Sequence, residues 1–295
     1  MQRKPFLNDQ QLSWLILGLL ALTWGSSYIL IKRALVAFSA IQVASLRISI
    51  SALAFLPFLL WRWRQIDWSR WRSLLIVGLA GSGIPAFCFA LAQTRLSSSL
   101  TGVLSSLTPL FTLLLGILFF RVPFAWWKTV GVLVGLAGAV LLILKGSEGD
   151  PQLSEWWPGL LVVLATSMYA LSSNVVKSRL QDLSSLTISS VAFFLIGLPG
   201  MAVLLTTPFF EQLASQPEAR TSLGYVAILS LAGTVMASIF FFKLVQLKDA
   251  IFASTVSYLI PLVALFWGVF DHEPVTYLHL LGMGLILAGV YLSRK

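Results

Sequence analysis

The chain has 295 residues, of which 58% are hydrophobic and 11% charged, with a formal net charge of +9. At a mean hydropathy of +0.89, a water-soluble domain of this size has too little polar surface to cover itself, so the chain reads as a polytopic membrane protein. The basic excess does not mark a nucleic-acid binder, because most Lys and Arg sit in short connections between apolar spans, and the single cysteine, Cys88, excludes an internal disulfide and a thiolate metal site.

The first apolar stretch follows Arg3 and Lys4 as in a signal peptide, but runs past Trp24 with no small-residue cleavage pattern and is expected to remain as a first helix. About 20 residues cross a hydrocarbon core of about 30 Å. Spans of that length follow in chain order at 13–31, 41–61, 73–92, 98–119, 126–144, 157–176, 184–205, 223–245, 250–270 and 277–292. The third and fourth are parted only around Gln93-Thr94-Arg95, the eighth and ninth only by Lys248-Asp249. With the N-terminus in the cytoplasm, fourteen Lys and Arg fall on the inner side against five outside, namely Lys32, Arg33, Arg95, Lys145 and Arg220. That bias predicts both termini inside.

The fourth and ninth spans carry one segment written twice. Leu104-Ser105-Ser106-Leu107-Thr108-Pro109-Leu110 recurs as Val256-Ser257-Tyr258-Leu259-Ile260-Pro261-Leu262. Lys32 and Leu35 fall against Lys177 and Leu180, Gly116 against Gly268, and, after a one-residue gap, Pro123, Gly131 and Gly138 against Pro274, Gly282 and Gly289. A repeat with an odd number of crossings places its second copy upside down. The expected fold is therefore all-α integral membrane, with ten transmembrane helices as two inverted five-helix repeats, 1–147 and 148–295, forming one structural unit.

Trp24-Gly25-Ser26-Ser27-Tyr28 in the first helix, Arg47 in the second, the Pro109 and Pro261 helices, and Glu273-Pro274 before a helix bearing Gly282 and Gly289 resemble the EamA family of the drug/metabolite transporter superfamily. The resemblance implies a ten-helix inner-membrane carrier with cytoplasmic termini, a central cavity lined mainly by helices one, three, four, six, eight and nine, and the export of metabolites or amino acids. The chain departs from the family where Val122, beside Arg121, replaces the acidic residue that ends the fourth helix. A role needing an acid in both halves is not expected of this chain.

Pro109 and Pro261 each remove a backbone donor and push away the carbonyl four residues earlier, which belongs to Ser105 and to Ser257. Two readings stand. Ser105, Ser106, Ser257 and Tyr258 form a polar solute site with those carbonyls, or the prolines only kink helices and the serines bond within their own turns. Trp24 and Tyr28 share one helical face, as do Tyr169 and Ser173, and with Ser27 and Asn174 they are expected to line the cavity, whereas Gly25 and Ser26 are expected to pack helices. Arg47, inside the second span, is read as a clamp on helix-end carbonyls or a snorkelling side chain in preference to a ligand for a solute carboxylate. No carboxylate lies at mid-span, so coupling, where present, falls to a boundary group such as Glu273 or His272. His272 itself is read as part of a solvated turn. Gly131, Gly135 and Gly138 suit close helix approach, and a functional contact there is read as one with a second subunit in preference to solute.

Neither His272 nor His279 builds a metal set, no serine has an evident base, and no carboxylate pair lies within a span, which disfavours an intramembrane enzyme. No catalytic residue, metal or cofactor is expected. The expected partners are a small-molecule solute and membrane lipid, with a homodimer left open and no nucleic acid. The sequence thus predicts a carrier in a bacterial inner membrane that exports a small organic metabolite, such as an amino acid or an amphipathic drug-like solute, by alternating access.

Overall fold

A computed structural model describes residues 8–123, 126–145, 156–273 and 275–293. The predicted repeat boundary at 147/148, the acidic residues Glu148, Asp150 and Glu155, the terminal Arg3, Lys4, Arg294 and Lys295, and Pro274 lie outside them. All regular structure among the described residues is helical. We number the principal helices α1 (Asp9–Ala34), α2 (Ala40–Arg62), α3 (Trp68–Ala92), α4 (Ser98–Phe119), α5 (Trp126–Lys145), α6 (Trp157–Arg179), α7 (Ser185–Leu205), α8 (Pro217–Leu247), α9 (Ala250–Phe270) and α10 (Tyr277–Ser293). Eight of these, all but α5 and α10, are long and apolar enough among the described residues to cross a membrane. Trp61, Phe119, Trp126, Phe270 and Tyr277 lie exposed on the rim, as lipid-facing positions do.

Local chemistry sets the helix ends. Asn8 and Ser39 begin α1 and α2 with capping boxes closed by Gln11 and Gln42. Ser97 caps α4 through the Leu100 N–H, and Asp249 caps α9 through the Phe252 N–H. The narrow breaks expected after the third and eighth spans are therefore real helix ends, because each is followed at once by a capping side chain. Halfway along, α4 tightens to a 3-10 turn at Ser105–Leu107 and α9 does so at Thr255–Tyr258. Each turn comes just before a proline that lacks the donor for the regular ladder.

Two further irregularities were not expected. Helix α3 loosens to a π turn at Leu79–Gly83, and α8 to one at Leu231–Met236. Pro85 accounts for the first, since it cannot donate to the Gly81 carbonyl, and the ladder shifts to the Ile84 N–H bonding Leu79 O. In α8 no proline stands at the matching place. There the Thr234 hydroxyl donates to Leu229 O at 3.2 Å and the Trp24 indole N–H to Gly233 O at 3.0 Å, so side chains hold the turn open.

Helix α1 packs on α8 and α9, and α6 packs on α3 and α4. Helices α2 and α7 pair with each other, as do α5 and α10. The glycines predicted for close approach are spent inside the chain: a Cβ at Gly289 would collide with the backbone of Gly131 and Gly135, and one at Gly138 would stand 2.9 Å from Gly282 O. This corrects the view of that stripe as a face for a second subunit, because α10 already covers it.

Candidate functional site

A cavity lies among α1, α2, α3, α4, α6, α8 and α9. Trp24, Ser27, Tyr28, Arg47, Ser105, Tyr169, Ser172 and Ser257 line it, together with residues that sequence reasoning did not reach: Gly81, Ser82, Phe89, Thr108, Gly233, Thr234, Ser238, Phe241, Phe242 and Ser254. Three of the polar side chains among the latter, Ser82, Thr234 and Ser238, come from the two π turns and the segment after the second. A signal for them exists in the sequence, because the offset that sets Pro109 against Pro261 also sets Leu79-Ala80-Gly81-Ser82 against Leu231-Ala232-Gly233-Thr234.

The walls repeat the same contacts. The ring of Trp24 lies 5.1 Å from that of Phe241, and Tyr169 lies 5.8 Å from Phe89. Trp24 and Tyr169 are equivalent at the offset that matches Lys32 with Lys177, and Phe89 and Phe241 at the offset of the prolines. A Cβ at Gly233 would stand 2.7 Å from Ser27 Oγ, and one at Gly81 would stand 2.6 Å from Ser172 Oγ. In each pair one partner comes from either half. Each π turn therefore needs glycine where the other half's serine presses on it. Tyr28 adds an aromatic face 5.6 Å from Phe89.

Four predicted residues lie elsewhere. Ser106 donates to Ser257 O at 3.0 Å, tying the broken turn of α4 to that of α9. Ser173 is fully buried and donates to Ala170 O, so Ser172, one position earlier, takes the cavity face expected of it. Asn174 donates to Thr112 O and Ala170 O, joining α6 to α4. Tyr258 is half-buried and outside the lining. The carbonyls that the prolines displace are also engaged: Ser105 O accepts from the Thr108 hydroxyl at 2.8 Å, and Ser257 O from Ser106. They stitch the break together, since an unpaired carbonyl at that depth is costly. Gly25 and Ser26 behave as packing residues, with Val263 against the first and the Trp267 indole donating to the second at 2.8 Å.

Arg47 departs from the expectation of a clamp or a snorkelling side chain. It is only 8% exposed, and its Nε donates to the Thr234 hydroxyl at 2.7 Å. Tyr169 lies beside it in the cavity wall. Among the described residues no carboxylate forms an ion pair with it. Its Nε thus meets a side chain of the π turn in α8 and not a helix-end carbonyl.

Beyond the cavity, Glu273 knots together the C-terminal end of α1, the start of α4 and the end of α9. Its carboxylate accepts from Lys32 Nζ at 2.8 Å, from the Ser98 and Ser99 backbone N–H groups at 3.0 and 2.9 Å, and from Ser99 Oγ at 2.7 Å. Asp271 pairs with Lys32 at 2.6 Å and also with Arg33. Burial opposes the charge on Glu273, but the bonds from Lys32, Ser99 and Ser98 outweigh it and hold the carboxyl below its usual range. His272 is exposed with a left-handed backbone, as is Arg121 at the matching place, where Val122 stands for Glu273.

A family model described as the EamA-like transporter family matches the chain twice, over residues 12–144 and 156–294. An uncharacterized transporter of Archaeoglobus fulgidus is 26% identical over 95% of this chain and 97% of its own. The uncharacterized inner membrane transporter YedA of Escherichia coli is 25% identical over 92% of this chain and 87% of its own, and the protein PecM of Dickeya dadantii is 24% identical over 92% and 88%. A solved crystal structure superposes with a TM-score of 0.65 at 18% identity, covering 95% of both chains, which speaks for the fold alone.

Proposed function

The chain belongs to the EamA-like transporter family, and from that premise we propose that it is a ten-span carrier of the bacterial inner membrane, with cytoplasmic termini, that exports a small organic metabolite by alternating access. Its two repeats, 1–147 and 148–295, form one unit of inverted halves. The observation that carries this reading is the pair of cross-half contacts, Trp24 with Phe241 and Tyr169 with Phe89, flanking one cavity. In an inverted pair these contacts fall toward opposite membrane faces, where each serves as the aromatic gate of its own side. The direction is the one that the family resemblance implies.

The Lys32, Arg33, Asp271 and Glu273 cluster then acts as the latch of the outer face, and Glu273 takes the part of a closing residue. Among the described residues no carboxylate lines the cavity, which favours movement down the solute's own gradient or by exchange. The test is counterflow in reconstituted vesicles, with a solute panel run with and without a proton gradient. Saturable uptake that speeds up with solute on the opposite side is expected. Non-saturating flux without trans-stimulation would identify a pore, product formation in detergent an enzyme, and a requirement for the proton gradient a coupled carrier.

A further inference from the structure

We propose that Arg47 is the docking point for the carboxylate of a singly charged organic acid, whose apolar body lies against Trp24, Phe241 and Tyr169. This names the solute class of the cavity and rests on the carrier reading above.

Four observations converge on it. Arg47 is more than nine-tenths buried and lines the cavity, yet no carboxylate among the described residues neutralises it. A guanidinium stays protonated in such a place, so the charge calls for an anion. Thr234 holds Nε at 2.7 Å, which orients the guanidinium, and the two terminal nitrogens of a guanidinium form a fork suited to a planar carboxylate. The wall around it is otherwise uncharged and rich in aromatic rings, so an ammonium group on the same solute meets no acid. Finally, the repeat does not copy the cation. The position matching Arg47 in the second half is Ala192, whose carbonyl oxygen would stand 2.7 Å from a Cβ placed at Gly78. The cavity therefore holds one anion at a time.

The predicted order of preference is acid, then uncharged amide, then amine. The probes are phenylacetate, hydrocinnamate and hexanoate, with phenylacetamide and phenethylamine as the matched uncharged and cationic analogues of the first. Equilibrium binding of labelled phenylacetate to the purified full chain should saturate, and phenylacetate should displace it at least about tenfold better than phenylacetamide, as expected for a charge-assisted pair. Arg47→Gln should weaken binding by a similar factor, with Arg47→Lys intermediate because it keeps the charge and loses the fork. The comparison of acid with amide uses the unaltered protein, so it stands even where Arg47→Gln does not fold.

Equal affinity for acid and amide, acid binding untouched by Arg47→Gln, displacement by chloride as strong as by phenylacetate, or no saturable binding of any of the three acids would each overturn the proposal. Counterflow of the same probes separates this inference from the carrier reading. Acid binding without trans-stimulated exchange would leave the anion site standing and remove the carrier. Trans-stimulated exchange of phenylacetamide or phenethylamine in preference to the acids would do the reverse.

Discussion

Glu273 has four donors on one carboxylate, and two of them are backbone N–H groups at the start of α4 that no other acceptor serves as well. Glu273→Gln keeps the shape but turns an amide N–H₂ toward donors. It should destabilise the chain by about 2 kcal/mol, a value held down because Lys32 is partly exposed and can be solvated. Thermal unfolding in detergent should show this as a drop of several degrees. The pH dependence has a definite sign. A carboxyl held below its usual range stabilises the fold fully above the unfolded value, and that stability fades as pH falls through the lower folded value. The midpoint should therefore hold steady from neutral pH to about pH 5 and decline below it, and Glu273→Gln should flatten the part of that decline due to this residue. An unchanged acid limb in the variant would contradict the assignment. Arg47 is the companion case at this scale. Its place inside a span was legible in the sequence, but not its direction, because the side chain that turns it inward is Thr234, distant in sequence and raised by a helix irregularity.

At the scale of the helix, the breaks in α4 and α9 were legible because proline announces them, and their ends because Ser97 and Asp249 are capping residues. The π turns of α3 and α8 were not legible as such. One has Pro85 four residues beyond Gly81 to force it, whereas the other depends on Trp24 and Thr234, contacts that exist only once α1 lies beside α8. What the sequence did contain was their recurrence at the proline offset. The two turns should respond differently to substitution. Pro85→Ala restores the missing donor to α3, so it should leave stability unchanged or raise it, since proline inside a helix costs about 3 kcal/mol, while solute affinity falls because Ser82 rotates away from the cavity. Trp24→Phe keeps the ring against Phe241 but leaves the Gly233 carbonyl without its indole partner, which should cost about 1 kcal/mol. Thermal midpoints measured beside binding of phenylacetate separate the two. A Pro85→Ala variant that loses stability would mean that the π turn is favoured by its surroundings and not imposed by proline.

For the whole molecule, the two ends of the bundle are built from matching positions with unequal chemistry. At one end Lys32 and Arg33 meet Asp271 and Glu273, while at the matching places Lys177 donates to Lys248 O at 2.9 Å and Val122 supplies no charge. Composition and hydropathy made the membrane class legible, and the repeat made the pairing of helices legible. The inequality showed only as Val122 in place of an acid, and its consequence needed Ser98, Ser99 and Lys32 brought to Glu273 from three helices. Charge-assisted bonds outweigh neutral ones, so under the alternating-access reading the resting protein keeps its ion-paired end shut, and weakening the latch shifts the balance toward opening there. Asp271→Asn removes one acceptor from Lys32 and Arg33 without touching α4. A single cysteine at Ser82, in a Cys88→Ser background, lines the cavity and reports access to it. A membrane-impermeant maleimide added on the ion-paired side should label this cysteine roughly 5- to 30-fold faster when Asp271→Asn is present, the change expected for a shift of about one to two kcal/mol. Labelling from the opposite side should slow, because the two open states draw on one population. Raised salt should act in the same direction, though less strongly, since Lys32 and Arg33 are partly solvated. Labelling that rises equally from both sides would show a loosened bundle, and labelling unchanged from the ion-paired side would show that Asp271 and its partners hold no gate.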